Sequence, residues 1–176
     1  MRRLTFEGFL ESYVQHLAGE RTRSVRKLAE RAAVESRLYE PLLLWAAVSG
    51  HADQLARLLG GQSDRVEELE ALVALHRLGA LESALAQDDS GLPSEYAKVW
   101  RSFVVRRDAP ERDAALKHEA RRQVLVLEAE TGVSRYRMAK DLGLNPGNLH
   151  AFLAQANVSK LSLENAYALV RYLRAA

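Results

Sequence analysis

Apolar residues recur every three to four positions along almost the whole of this chain, and no stretch alternates with the period of two that marks a β-strand. That single property restricts the fold to packed helices. Phe6, Phe9, Leu10, Tyr13, Val14 and Leu17 form the stripe of a first helix that should stop near Gly19. Val25, Leu28, Ala29 and Ala32 make a second, opened by Ser24. Pro41 suits the first turn of a helix over residues 41–48, which is apolar all round and therefore expected at the centre of a core, ending at Gly50. A further helix is expected over 52–59, closed by Gly60 and Gly61. The next opens at Ser63 or Asp64, with Asp64 and Glu67 at the spacing of a capping box. Gly79 separates it from a helix around 80–87. Residues 87–93 (QDDSGLP) read as a loop, and Ser94 as the cap of a helix carrying Tyr96, Val99, Trp100, Phe103 and Val104. The run 108–112 (DAPER) reads as a second break. A domain boundary there gives a helical unit over 1–110, a bundle or a set of helical hairpins, and a second unit over 111–176.

Composition narrows the function classes. Hydrophobic residues make up 48% of the 176, enough for a core. There is no cysteine, which excludes disulfides and thiolate metal sites and fits a reducing cytoplasm. No apolar run approaches the roughly 18 residues of a membrane span, and the start MRRLTFEGFL lacks the apolar core of a signal peptide. A soluble, cytoplasmic protein with no membrane partner is expected. Net charge is +2, but residues 1–110 hold 15 Lys+Arg against 16 Asp+Glu, while residues 111–176 hold 10 against 7. The second unit is the basic one. Catalytic signatures are missing. His16, His51, His76, His118 and His150 are scattered, Gly60-Gly61 lacks the Lys-Ser/Thr of a phosphate loop, and no GxSxG occurs. Neither an enzyme nor a cofactor or metal site is expected.

The richest segment is 134–173. Ser134 stands where an N-cap should, followed by a helix over 135–142 with Met138, Ala139 and Leu142 inward. The small Ala139 allows close approach of a neighbour. Gly143 follows the last helical residue, Leu144 is a buried turn residue, Asn145 can cap the next helix, and Pro146 fits its first position. Leu149, Phe152 and Leu153 give that helix its apolar stripe.

This order of Ser, Met-Ala, Leu-Gly-Leu, Asn-Pro and Leu-x-x-Phe resembles the helix-turn-helix of the lambda-repressor and Cro-like family. The resemblance extends to Ser162-Leu163-Glu164 as the start of a fourth helix, with Ala166, Leu169, Val170 and Leu173 as its core face, and to residues 116–129 as helix one. It implies a domain whose second motif helix enters the major groove of double-stranded DNA. Carried over position by position, it places Asn145, Pro146, Gly147, Asn148, His150 and Ala151 toward the groove. Arg135 falls beside the DNA backbone, and Asn157, Ser159 and Lys160 in a phosphate-gripping loop, with Arg137 and Lys140 adding charge. The sequence departs from strong readers at Pro146, Gly147 and Ala151, which cannot make a bidentate bond to a base edge. Asn148 and His150 remain as candidate readers.

Two internal echoes are weaker. Residues 24–42 repeat part of the spacing of the C-terminal motif, but Ala33 replaces the turn glycine and Pro41 would fall inside the second helix. Residues 41–59 look like one ankyrin-type hairpin without a second copy, and read as an ordinary hairpin. The expectation is a DNA-binding transcriptional regulator acting as a homodimer, with residues 1–110 serving dimerisation or a protein partner. The alternatives are an antitoxin-like protein that neutralises a partner and autoregulates, and a helical interaction module with a degenerate helix-turn-helix.

Overall fold

The computed structural model describes residues 3–176; Met1 and Arg2, part of the start MRRLTFEGFL noted above, lie outside the described residues. Among the described residues the protein is all-α, with ten α-helices, two short 3-10 turns and no strand. The helices are α1 (Phe6–Ala18), α2 (Val25–Val34), α3 (Tyr39–Ser49), α4 (Ala52–Leu58), α5 (Ser63–Arg77), α6 (Leu81–Ala86), α7 (Ser94–Thr131), α8 (Arg135–Asp141), α9 (Pro146–Ala154) and α10 (Leu163–Arg174). None is long and apolar enough to cross a membrane. Contacts divide the chain into two compact units, Met1–Arg107 and Asp108–Ala176, each with its own core.

The first unit is organised around α3. Every side chain from Pro41 to Ala47 is buried, and the helix packs against α1 on one side and α5 on another. This is the burial expected of a helix without a polar face. Aromatic rings join α1 to the start of α7. Phe6 meets Trp100 edge-on and Phe103 at a tilt, both at 5.1 Å, while Phe9 lies 5.6 Å from Phe103. Both tryptophans, Trp45 and Trp100, belong to this core. One polar chain lies at its edge. The fully enclosed Tyr96 donates its phenol to Glu68 at 2.6 Å. Arg65 bonds Glu40 at 3.0 Å and lies 4.6 Å over the Tyr39 ring.

Two local expectations are corrected here, and one weak echo finds no counterpart. The run 108–112 is not a break. It lies inside α7, with Pro110 in the helix interior. Proline there removes one donor and crowds the preceding turn, at about 3 kcal/mol. Good helix formers follow it, and the helix is held by Tyr96, Val99, Trp100 and Phe103 in the first core and by Ala120 and Val124 in the second. The capping box at Asp64 and Glu67 does not form. The chain turns into α5 earlier, the N-cap is Gln62, and its side chain makes no capping bond. The echo over 24–42 is not a second motif. Val34, which would match the buried turn residue, is 83% exposed, and Pro41 sits inside α3.

The second unit buries Ala120 and Val124 of α7 with Met138 and Ala139 of α8, Leu149, Phe152 and Leu153 of α9, and Ala166, Leu169, Val170 and Leu173 of α10. Leu161 closes this core from the connection before α10.

Candidate nucleic-acid interface

The pair α8–α9 is built from local signals that sit in adjacent residues. Ser134 accepts the Arg137 N–H at 3.3 Å and starts α8. At its far end Gly143 adopts φ 63°, a left-handed value that a side chain would strain. The Leu144 N–H returns to the Ala139 carbonyl at 2.8 Å and the Gly143 N–H to Lys140 at 3.3 Å, which together close a Schellman turn. Asn145 then caps α9 by accepting the Asn148 N–H at 3.1 Å, with Pro146 as the first helical residue. A Cβ at Gly147 would come 3.2 Å from the Asn145 Oδ1, so glycine leaves the cap undisturbed.

The exit from α9 is unusual. Ala156 is the one described non-glycine residue with positive φ, at 55°. The Asn157 N–H closes back to the Ala151 carbonyl at 3.0 Å, spanning six residues rather than five. That wider turn leaves the carbonyls of Phe152 and Leu153 without backbone donors. Arg121, from α7, fills the gap. Its Nε donates to both carbonyls at 3.0 Å, and a terminal nitrogen donates to Leu153 at 2.7 Å. A cation at the negative end of the helix also matches the macrodipole. Beyond the turn, Asn157 Oδ1 accepts the Ser159 N–H at 3.2 Å and its hydroxyl at 2.7 Å, which shapes the 3-10 turn Val158–Lys160.

The residues expected to face DNA are not all exposed. Asn145, Pro146, Gly147, Asn148 and His150 are exposed at the start of α9. Ala151 is a correction. It is only 9% exposed, so its methyl is not free to meet a groove. Asn148 and His150 also lie two residues apart, about 200° around the helix, so they face different sides of it. Arg135 is half-buried and held by Glu128 through two bonds of 2.7 and 3.0 Å. The hydrogen bond to Glu128 holds its pKa above the usual arginine value, and its fork is occupied within the chain. Arg137 is exposed beside Asp141 at 3.6 Å. Asp141 also accepts the Tyr172 hydroxyl at 2.6 Å, which ties α10 to the end of α8 and raises the Tyr172 pKa. Asn157 is half-buried and spent on its turn, whereas Ser159 and Lys160 are exposed. The side chains of Lys140 and Lys160 are exposed and bond to no other group.

Two further residues stand out in this region. Tyr136 is 72% exposed in the first turn of α8 between two arginines, a signal readable as an aromatic at a position the core does not need. Arg121 carried no such signal, since its role depends on a turn thirty residues away. The charge at the helix starts differs along the chain. Seven of the ten helices place an acidic residue in their first turn, as the macrodipole favours; α2, α8 and α9 do not. Comparison with protein-family models, with curated proteins and with solved structures found no match.

Proposed function

We propose that the second unit binds duplex DNA, with the N-terminal end of α9 entering the major groove, and that the protein acts as a DNA-binding regulator. The observation that carries this reading is the start of α9. Asn148 and His150 stand exposed with side chains that bond to nothing in the chain, and the exposed cations Lys140 and Lys160 flank them in sequence. Asn148 supplies the donor–acceptor pair that matches adenine N6 and N7, and His150, on another side of the helix, donates to a phosphate. Pro146 and Gly147 present a smooth surface that allows close approach. Lys160 and Ser159 contribute phosphate contacts, which set affinity and register but not sequence.

Selection of bound duplexes from a random pool, with affinity followed from low to moderate salt, tests this directly. Asn148→Ala should lower preference for the selected site, by a discrimination of about 1–3 kcal/mol, and leave binding to unrelated duplex nearly intact. Lys160→Ala should weaken all duplexes alike and shallow the salt dependence by about one unit. Wild-type binding by both variants would overturn the placement of α9, and no salt-dependent binding by the wild-type chain would overturn the function.

A further inference from the structure

Helix α7 is anchored at both ends and contributes to no core in its middle. In the first unit Trp100 and Phe103 are buried, Arg106 lies 5.5 Å over the Phe9 ring and Arg107 lies 5.4 Å over the Phe103 ring. In the second unit Ala120 and Val124 are buried, and Arg121 bonds the carbonyls at the end of α9. Residues 108–119, about three turns of helix, place no side chain in either core. Leu116 is the one large apolar residue among them, and it is 42% exposed.

The burial that stabilises most protein helices is therefore missing from this stretch, and a helix of its length is marginal in water without it. Pro110 lies in the same stretch. Having no N–H, it gives the Arg106 carbonyl no helical donor, and its ring disfavours helical backbone at Ala109. What remains are the other backbone bonds and contacts between exposed side chains, each of which contributes little. The stretch is helical because both of its ends already are, so closing it requires no new nucleus.

We infer that residues 108–119 are a conformational device built into α7, opening locally from helix to coil while both cores stay folded, with Pro110 where the opening begins. Each core is complete without the stretch, so opening removes no core contact and costs only the helix itself. Closed, α7 continues as helix from one core to the other; open, the cores are joined by coil alone. The inference takes nothing from the DNA reading above.

Hydrogen exchange of the full chain without DNA, resolved residue by residue by NMR, tests it. Amides of residues 111–117 should exchange at least about tenfold faster than those of residues 99–103 and 121–127 in the same helix. Pro110→Ala supplies the missing donor and should slow exchange over 111–117 by about ten- to a hundredfold, with the flanking rates unchanged. Leu44→Ala and Phe152→Ala each weaken one core, because both side chains are fully enclosed. Each should speed exchange in the flank that belongs to its core and leave 111–117 as in wild type. Protection over 111–117 equal to that of the flanks overturns the inference. So does indifference to Pro110→Ala, or exchange over 111–117 that follows either core variant.

Discussion

Arg121 closes the end of α9 with a guanidinium drawn from a different helix. Without it, two carbonyls at the end of a packed helix lose all of their donors. Arg121→Ala should therefore cost about 2–3 kcal/mol in the unfolding free energy of the second unit, read from urea denaturation followed by circular dichroism. Arg121→Lys, which keeps the charge but not the fork, should lose less. Equal stability of all three chains would show that water replaces the guanidinium without cost. A second residue with a clear signature is Tyr96. Its burial, and then its hydrogen bond to the Glu68 carboxylate, push the phenol above its ordinary pKa of 10.0. The folded chain thus keeps this proton at a pH where the unfolded chain releases it. Tyr96 makes no pH-dependent contribution below pH 10; above it, stability falls by as much as about 1.4 kcal/mol per pH unit. Urea midpoints compared on either side of that pH should show the fall in wild type and a shallower one in Tyr96→Phe.

At the scale of elements, α7 has the most to test. It runs from Ser94 to Thr131 through Pro110, and between Val104 and Ala120 it contributes no side chain to either core. Pro110→Ala restores a donor to the Arg106 carbonyl and should stabilise this stretch by about 1–3 kcal/mol, seen as slower amide exchange around residues 107–114. Unchanged exchange would mean that the helix is already locally bent to accommodate the ring. The same helix shows what a sequence conveys and what it withholds. Ends fixed by neighbours in the chain were legible: Ser24, Ser134, Asn145 with Pro146, and Ser162 all cap where their spacing indicates, and Gly143 closes its turn. Each such signal is a bond between residues two to five apart. Run 108–112 misled because breaking propensity is local, whereas the cores that hold α7 on either side are assembled from distant residues. Ala151 misled for a related reason. Its place on the helix suits a groove, but packing within the second unit leaves it only 9% exposed. Of the expected interface, the α9 start was legible, while the occupation of Arg135 by Glu128 depended on helix packing.

At the scale of the whole molecule, two cores share one chain. Leu44 is fully enclosed in the first and Phe152 in the second. Leu44→Ala should cost about 2–5 kcal/mol and lower only the transition of the first unit, and Phe152→Ala about 3–5 kcal/mol and only that of the second. Scanning calorimetry should resolve two transitions in wild type, each moved by one substitution. One transition moved equally by both would mean a single cooperative body. The placement of Trp45 and Trp100, both inside the first core, has a spectroscopic consequence. Indole fluorescence comes from the first unit alone, and the second is dark apart from its tyrosines. A shift in tryptophan emission when duplex is added to the full chain therefore signals a response of Met1–Arg107, which makes the two indoles a built-in optical reporter on that unit.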